Sequence, residues 1–424
     1  MDERVDETGP PAYLLPLSSD DPAELRRLAA GYADLLAVAV TPDAVVDVCF
    51  AAGARPTGRH RRAACSADRD GLIARLRAIA AEPNEPEPVE RATVAFVFPG
   101  QGAQRTGMGR ELLATVPRFA EHLRACDRAI RAEAGWSVLD HLLDDSPSGA
   151  ESRVQPALWA LQVGLAMVWR DWGVEPDVVF GSSLGEIAAA VAAGTLSLSD
   201  GAAVVCRRSA LFQTLEGCAD MWAVQLGEAA AWQAIGELAD QVAVAAVNSP
   251  HFTTIAGAPD ACRAVVAPLL ERRVFCRRVK AGLASHTPVV DPILPQLREL
   301  LADVRPTDGR IPFYSTVIDG PVPGGKLGAD YWAANLRQPV RFADACRALL
   351  ADHGRVCFVE VGPQATLTAS IEDNIESGTG NGIAVPSIRR DWSEAESLMT
   401  SLGVTYEQGS MPVWHRLHEY TDRR

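Results

Sequence analysis

The stretch that most constrains the fold is VVFGSSLGE, residues 178–186, in which two adjacent serines lie between glycines. An apolar run precedes these serines and the Ala-rich segment IAAAVAAG follows them, so the pattern predicts a buried strand, a tight turn and a helix. Gly181, Ser183 and Gly185 have the GxSxG spacing, in which small residues let strand and helix approach closely around an exposed nucleophile. The sequence therefore predicts an α/β fold with Ser183 as the candidate nucleophile. The alternative is a turn of small residues that only packs.

A second apolar run, TVAFVF at residues 93–98, is stopped by proline and glycine and predicts another buried parallel strand. Because the carboxyl ends of parallel strands meet at one edge of a sheet, the following loop is expected beside Ser183. The backbone N–H groups of Gln101 and Leu184 are then candidates for stabilising an oxyanion. A tight turn with an exposed Gln101 is the alternative.

A serine nucleophile needs a general base, and the sequence contains eight histidines. His286 lies in GLASHTPVVDP, a proline-bounded loop at the junction of two predicted lobes, which makes it the candidate. A solvated loop histidine is the alternative. No Asp-x-His pattern accompanies it, so a backbone carbonyl is expected to hold its second ring nitrogen.

The organisation of the chain follows from changes in pattern. A strand at 13–19 and two helices, the second near 67–82, predict an N-terminal α/β piece that ends in a Pro- and Glu-rich connector. Strands alternating with two Ala-rich helices predict a small four-stranded α+β unit. The expected domains are 1–90 for the N-terminal piece, 91–220 and 285–385 for the large subdomain, 221–284 for the small subdomain, and 386–424 for a polar tail on the surface.

Three finer expectations concern local structure. Residues 1–11 are expected to form a disordered leader. Ser199 is a candidate N-cap for the helical stretch at 202–215. CFVEVG at 357–362 is expected to be the last buried strand of the large subdomain.

The formal net charge of −14 argues against nucleic acid or an anionic membrane surface as the main partner. The cysteines are odd in number, nine, and form no CxxC pair, which predicts neither a disulfide framework nor a metal site but small core residues in a reducing cytoplasm. No apolar run reaches the length of a membrane span.

Against this acidic background, RRVFCRRVK at 272–280 is the densest basic run. It predicts a docking site for an acidic partner, steered by charge. The alternative is a strand with one solvated basic face. The arginines concerned are Arg272, Arg273, Arg277 and Arg278.

Six motifs follow one another along the chain: FVFPGQGAQRTGMGREL, GSSLGE, VNSP, ASH, NLRQPVRFADACRALL and FVEVGP. Together they resemble the acyltransferase domain of modular polyketide synthases, the malonyl-CoA:acyl carrier protein transacylase family. The resemblance implies an α/β-hydrolase-like large subdomain with a parallel sheet and a ferredoxin-like small subdomain. Residues 13–90 resemble the linker that joins a ketosynthase to its acyltransferase, and residues 386–413 resemble the linker that follows. A free-standing, trans-acting monomer in the cytoplasm is expected, with a domain excised from a larger synthase as the alternative.

By this resemblance, Ser183 carries an acyl ester, His286 acts as general base and then acid, and Gln101 and Leu184 supply the oxyanion hole. Arg208 occupies the place of the arginine that binds the free carboxylate of malonyl or methylmalonyl groups, which suits a guanidinium. A solvated arginine on a helix is the alternative. Further expected pocket residues are Gln155, Asn248, Ser182 and Ser285.

The resemblance implies a ping-pong acyl transfer in the biosynthesis of a polyketide, with antibiotic biosynthesis as the expected setting. Acyl-CoA is the donor, the phosphopantetheine thiol of an acyl carrier protein is the acceptor, and no cofactor is bound. Two alternatives stay open: an acyl shuttle or starter-unit loader that moves a non-carboxylated group, including between carrier proteins, and an editing acyl hydrolase. A non-catalytic scaffold that binds a carrier protein is a third.

The sequence departs from the family pattern at Ser182, where a histidine usually precedes the nucleophile. The smaller residue predicts a roomier pocket beside Ser183, with neutral drift as the alternative. The segment 283–286, LASH, resembles methylmalonyl-type motifs, whereas Leu184 resembles malonyl-type elbows, so the two signals conflict. Ala281 and Gly282 stand where the family often has Val-Asp.

Overall fold

The computed structural model describes residues 12–39, 41–147, 149–215, 217–279, 285–318, 320–378 and 380–417. The predicted leader at 1–11 lies outside the described residues. The described chain contains three sheets, of two, six and four strands, and its fold is mixed α/β.

The N-terminal unit is a two-stranded antiparallel sheet with three helices packed against it. The side chain of Asp21 accepts a hydrogen bond from the backbone N–H of Ala23 and so caps the first of the two predicted helices. The helix at 42–53 and the strand at 60–66 were not predicted. The helix is rich in valine and alanine, the strand begins with a histidine and two arginines, and neither segment shows a clear apolar period. The elements are β1 (Tyr13–Ser19), α1 (Pro22–Val38), α2 (Pro42–Gly53), β2 (His60–Ser66) and α3 (Arg69–Ala80).

The large unit begins with a buried strand and a layer of helices that cover one face of its sheet. These elements are β3 (Thr93–Phe98), α4 (Arg110–Thr115), α5 (Pro117–Ala134), α6 (Val138–Leu143), α7 (Glu151–Asp171), β4 (Val178–Gly181), α8 (Gly185–Ala192) and α9 (Leu198–Gln213). The cap of α9 is Ser197, whose side chain accepts from the N–H of Asp200, so the prediction of Ser199 was wrong. Ser199 lies inside the first turn of α9, where its own backbone is already helical.

The small unit follows with the order β-α-β-β-α-β. Its elements are β5 (Asp220–Val224), α10 (Glu228–Ile235), β6 (Val242–Ser249), β7 (Phe252–Gly257), α11 (Pro259–Glu271) and β8 (Cys276–Arg278). The four strands pair antiparallel in the order β6-β7-β5-β8, which is the ferredoxin-like arrangement. The expected four-stranded α+β unit is therefore present.

The chain then returns to the large unit and completes its sheet. The remaining elements are α12 (Leu294–Leu300), β9 (Phe313–Tyr314), β10 (Pro321–Val322), α13 (Ala329–Arg337), α14 (Phe342–His353), β11 (Arg355–Glu360), α15 (Thr368–Ser377), β12 (Asn381–Pro386), α16 (Glu394–Glu407) and α17 (Trp414–Leu417). The order of the six-stranded sheet is β10-β9-β4-β3-β11-β12, and only β10 runs antiparallel to its neighbour.

Two expectations for the C-terminal part were wrong. The strand β11 is followed by β12, which pairs parallel with it along its whole length. The expected surface tail instead contains α16, whose Leu398, Leu402 and Tyr406 are almost fully buried. This helix packs against β1, β2 and α4, so it joins the N-terminal unit to the large unit.

Because β3 and β4 are adjacent and parallel, their carboxyl ends lie side by side. The loops after these two strands carry Gln101 and Ser183, respectively. The topology therefore brings both predicted segments to one edge of the sheet.

Candidate active site

Ser183 lies in a sharp turn between β4 and α8, and its backbone has a φ of 53°, in the left-handed region. The flanking glycines are required by space. A Cβ on Gly181 would lie 2.4 Å from the carbonyl carbon of Gly185, and a Cβ on Gly185 would lie 2.0 Å from the carbonyl oxygen of Phe98. No side chain fits at either position, and the strained serine between them has the geometry of a nucleophile elbow.

His286 lies directly against this serine. Its Nε2 is 2.7 Å from Ser183 Oγ, and its Nδ1 is 2.7 Å from the carbonyl oxygen of Gln338. A carbonyl only accepts hydrogen bonds, so Nδ1 carries the proton and Nε2 is free to accept the proton of the serine hydroxyl. The expected backbone carbonyl on the second ring nitrogen is therefore present.

His286 is 4% exposed, and its position is fixed by the backbone as well as by the ring. Its own N–H donates to the carbonyl of Leu336, and its φ of 65° is left-handed. Burial, with the nearby positive charge of Arg208, lowers the pKa of His286 to about 3, against the opposing hydrogen bond to Gln338. The imidazole is thus neutral at ordinary pH and available as a base.

The two expected oxyanion donors border the turn. The backbone N–H groups of Gln101 and Leu184 have no hydrogen-bond partner among the described residues. Leu184 immediately precedes α8, where the first N–H groups of a helix point outward and favour negative charge. Gln101 lies in the turn that follows β3, the strand beside β4.

Arg208 points from α9 towards the nucleophile and is 1% exposed. Its Nη2 is 3.4 Å from Ser183 Oγ, its Nη1 donates to Gln155 Oε1 at 2.7 Å, and its Nε has no partner among the described residues. Burial lowers the pKa of Arg208 to about 10, against the favourable charges of Glu151 and Glu186. The guanidinium therefore remains charged near neutral pH, and its Nε–H is available to donate a hydrogen bond.

The preceding arginine has a different environment. Arg207 pairs with Glu133 at 2.7 Å and with Asp303 at 2.5 Å, on the outer side of α9. These carboxylates raise its pKa. The alternative of a solvated helical arginine is therefore wrong for Arg208, which is buried, and Arg207 is itself half-buried in ion pairs.

Two buried carboxylates near the site were not predicted as functional. Glu151, at the start of α7, accepts from Gln101 Nε2 at 2.8 Å and from Gln155 Nε2 at 3.1 Å. Its signal in the sequence, an acidic residue four positions before Gln155, is shared by many helix starts. The sequence around Glu151 therefore does not distinguish a functional carboxylate from an ordinary acidic residue at the start of a helix.

Glu186, directly after the GxSxG motif, is fully buried and connects three segments. It accepts from the N–H of Thr316 at 2.6 Å, from Tyr331 Oη at 2.7 Å and from Asn335 Nδ2 at 2.7 Å. Asn335 Nδ2 also lies 3.2 Å from the carbonyl oxygen of Ser183. Burial raises the pKa of Glu186, and these hydrogen bonds oppose that rise. The cluster fixes the elbow against α13.

The other expected pocket residues differ in their surroundings. Gln155 is 2% exposed and contacts Arg208, as above. Asn248 donates across the β6-β7 hairpin to Thr254 Oγ1 at 3.1 Å, so its amide is engaged within the small unit. Ser182 is half-buried, and its Oγ would lie 3.6 Å from a Cβ on Gly100, in the loop after β3. Ser285 is half-buried beside His286, whereas the expectations for residues 281–284 lie outside the described residues.

The basic run forms β8 and the turn before it, at the edge of the small sheet. All four of its arginines are exposed. Arg278 pairs with Asp220 at 2.5 Å on the neighbouring strand. Phe275, between the two arginine pairs, is 47% exposed and makes an edge contact with Phe252.

The described residues contain no cluster of three or more His, Cys, Asp or Glu side chains arranged to hold a metal ion. None of the helices in the described ranges combines the length and apolar character needed to cross a membrane.

Comparison with known proteins places this geometry in a family. The sequence model of the family described as "Acyl transferase domain" matches residues 95–412. Polyketide synthase GfsB of Streptomyces halstedii is 37% identical over 433 residues, which cover 98% of this chain but 8% of that synthase. The chain thus spans a small part of the length of this curated relative.

Two solved structures extend the comparison. The acyltransferase domain from module 8 of the salinomycin polyketide synthase is 34% identical, with a TM-score of 0.87 over 97% of this chain and 99% of that one. A loading acyltransferase from the avermectin modular polyketide synthase is 36% identical, with a TM-score of 0.70 over 73% of this chain and 99% of that one.

Proposed function

Because the chain belongs to the acyl transferase domain family, we propose that it transfers an acyl group from acyl-CoA to the phosphopantetheine thiol of an acyl carrier protein. The observation that carries the proposal is the 2.7 Å contact between Ser183 Oγ and His286 Nε2 inside a strained elbow. No bound cofactor takes part in this reaction.

In the first half-reaction, Ser183 Oγ attacks the thioester carbonyl while His286 Nε2 takes its proton. A C–O bond forms, the carbonyl oxygen becomes an oxyanion, and the N–H groups of Gln101 and Leu184 stabilise it. Removing one such donor typically costs about 3 kcal/mol of barrier lowering. The C–S bond then breaks, and the imidazolium returns the proton to the leaving sulfur, which releases CoA.

In the second half-reaction, the carrier thiol gives its proton to His286 and attacks the acyl ester. The C–S bond forms, the C–O bond breaks, and Ser183 regains the proton. The carbonyl of Gln338 holds the Nδ1 proton throughout, so the ring keeps its orientation in both directions. One thioester replaces another, and the residues of the site therefore lower barriers in both directions rather than drive the reaction.

For the acyl group, we propose an α-carboxyacyl extender unit of the malonyl or methylmalonyl type. Arg208 supports this, because its Nη2 faces Ser183 and its Nε has no partner among the described residues. A guanidinium with open donors binds a carboxylate through paired hydrogen bonds. Ser182, in place of a larger residue, would leave room for a substituted malonyl group.

A starter-unit loader is the second candidate. The chain is similar to a loading acyltransferase over most of that protein, and Glu151 places a second buried charge near Arg208. We further propose that the four arginines of the basic run contact the carrier protein and that the chain acts as a monomer in the cytoplasm. We also propose the expected domain boundaries, except that the segment after residue 385 is packed through α16 and is not a surface tail.

The test is intact-protein mass spectrometry after brief mixing with separate acyl-CoAs. The panel contains malonyl, methylmalonyl, ethylmalonyl, acetyl and a longer monocarboxylic donor, with Ser183→Ala as the control. We expect the mass of the protein to rise by one acyl group with carboxylated donors, and not to rise in Ser183→Ala. No adduct with any donor, or an adduct that survives Ser183→Ala, would contradict the proposal. Release of free acid without transfer to an added carrier protein would favour the hydrolase.

A further inference from the structure

Glu151 is a buried carboxylate that the proposed reaction does not use. It is the first residue of α7, is 6% exposed, and receives one amide hydrogen bond on each oxygen. Gln155, one helical turn later, links it to the catalytic pocket, since its Oε1 accepts from Arg208 Nη1 at 2.7 Å. A single amide therefore separates Glu151 from the guanidinium.

The hydrogen-bond directions around Glu151 follow from Arg208. A guanidinium only donates, so it fixes the Oε1 of Gln155 towards itself and turns Nε2 towards Glu151. Gln155 Nε2 also donates to Gln101 Oε1 at 3.3 Å, which turns the Nε2 of Gln101 towards Glu151. Both oxygens of Glu151 thus act as acceptors, as an ionised carboxylate requires, and the start of α7 favours that negative charge.

Arg208 responds to this charge. Burial is the main influence on its guanidinium and lowers its pKa, whereas the charge of Glu151 raises it. Glu151 is therefore a resident counter-charge for the residue that would bind the carboxylate of a substrate. A second carboxylate on Arg208 would be placed near Glu151 in a buried pocket, where like charges repel strongly. An acyl group without a free carboxylate has no such repulsion.

We infer that Glu151 is a specificity-determining residue, which lowers the preference of the pocket for acyl groups that carry a free carboxylate and so admits uncharged acyl groups as substrates too. The inference rests on the proposed function, because it concerns the same acyl-enzyme at Ser183. It names the substrate class as mixed, with carboxylated and uncharged acyl groups both loaded.

The experiment measures the second-order rate constant for acylation of Ser183 by malonyl-CoA and by propionyl-CoA, using intact mass in rapid-quench samples. The readout is the ratio of the two constants, in which any shared loss of activity cancels. In Glu151→Gln we expect this ratio to rise about tenfold or more, because the repulsion is removed for malonyl alone. The Oε1 of the new glutamine is able to keep the hydrogen bond from Gln155 Nε2. Gln101 is able to turn its amide over and accept from the new Nε2, with loss of the longer hydrogen bond that its Oε1 now accepts from Gln155.

Two controls and one replacement variant separate the effect of charge from that of structure. Glu151→Asp keeps the carboxylate and should leave the ratio within about twofold of wild type, on the same electrostatic argument. Glu407→Gln removes a half-buried carboxylate that accepts from the N–H of Ala63, far from the pocket, and should also leave it unchanged. Glu151→Met removes the charge with a side chain of similar length, and it replaces Glu151→Gln if thermal unfolding shows that variant to be unfolded.

The outcomes distinguish this inference from the function beneath it. A wild-type protein that no donor acylates would overturn both. A protein that acylates normally but whose ratio is unchanged, or falls, in Glu151→Gln and Glu151→Met would overturn the role of Glu151 alone. A wild-type protein that accepts malonyl and excludes propionyl by more than about 1000-fold, a discrimination beyond one modest contact, would also overturn the mixed substrate class.

Discussion

The pocket around Ser183 and the basic edge of the small sheet both present arginines, but the protein holds these arginines differently. Arg208 is 1% exposed and contacts Gln155 and Ser183, each from another element. At the basic edge the arginines are exposed, and Arg278 alone among its four has an ion pair in the described chain. The same residue type is thus a fixed chemical group in one region and a solvated charge in the other.

This difference predicts two scales of mutational effect. In a buried site a lost partner leaves other polar groups unsatisfied, which is costly. On an exposed edge each charge is screened by water and salt, so single changes have small effects that add. Substitutions in the two regions therefore test whether burial, rather than residue type, sets the size of the response.

The largest effect is expected at His286. His286→Ala should lower the rate of Ser183 acylation about 1000-fold, because general-base assistance is lost. His251→Ala is the matched control, since that exposed histidine pairs with Asp373 at 2.7 Å at the surface. Rapid-quench mass measurement gives both rates, and comparable rates for the two variants would remove the role of His286 as base.

His286 also predicts an unusual pH profile. Its pKa is lowered to about 3, so the base stays unprotonated through the range in which an ordinary histidine titrates. With an acyl-pantetheine donor, which lacks the titrating phosphate of CoA, the acylation rate should show no inflection between pH 8 and pH 5, well above that pKa. A clear inflection near pH 6.5 would show that the folded protein does not depress this pKa.

The same shift couples pH to stability. The unfolded chain binds a proton on His286 below about pH 6.5, whereas the folded chain resists protonation down to about pH 3. In that window the unfolded state binds more protons, so His286 makes the free energy of unfolding fall as the pH falls. His286→Asn should remove this contribution to the slope of the free energy of unfolding against pH.

How much of this site the sequence predicts depends on where the partners of each residue lie. The elbow is a local pattern, so Ser183, Gly181 and Gly185 are readable from a few residues. His286 and Arg208 are not adjacent to it in sequence, and the family resemblance supplied their roles. Glu186 was missed as a hub because its partners Thr316, Tyr331 and Asn335 are 130, 145 and 149 residues away.

The misjudged tail gives a second physical reason. The helix α16 carries Ser397, Ser401 and Thr405 at fully buried positions, which makes the segment look like a surface. The hydroxyls of Ser397 and Ser401 donate to backbone carbonyls of the segment that ends β12, and that of Thr405 donates within its own helix. Buried polar side chains satisfied in this way leave no apolar signal in the sequence.

A smaller effect than that of His286 is expected at Arg208, and it should depend on the substrate. Arg208→Ala should lower the acylation rate constant for malonyl-CoA about 100-fold, because a buried charge pair with the substrate is lost. Propionyl-CoA should lose much less, so the ratio of the two constants identifies the carboxylate as the group recognised. Arg207→Ala, one residue earlier but paired with Glu133 and Asp303, is the matched control.

Arg208→Ala also tests the link between the two residues. The positive charge of Arg208 contributes to the low pKa of His286, so its removal should raise that pKa and move the acid limb of the pH profile upward. If Arg208→Ala lowered the acylation rate constants for malonyl-CoA and propionyl-CoA equally, and the acid limb of the pH profile did not move, Arg208 would only support the structure.

The smallest effect is expected at the basic edge, where Arg272 and Arg273 have exposed side chains. The double change Arg272→Glu and Arg273→Glu should raise the KM for an acidic carrier protein about three- to tenfold at low salt, through the loss of steering by charge. Acylation of Ser183 by acyl-CoA should be unchanged, because these residues lie outside the pocket. Added salt should shrink the difference, since exposed charges are screened.

The control for this change is Arg298→Glu with Arg305→Glu, which alters the same charge on the large unit. If that variant raised the KM as much as the change at the edge, overall charge rather than a local surface would account for carrier binding. If neither variant altered the KM, the difference in mutational effect between the pocket and the basic edge would be supported only by the acylation rates, and not by carrier binding. The carrier would then dock through contacts that do not depend on these arginines, and the half-exposed Phe275 at the same edge would be the next side chain to truncate.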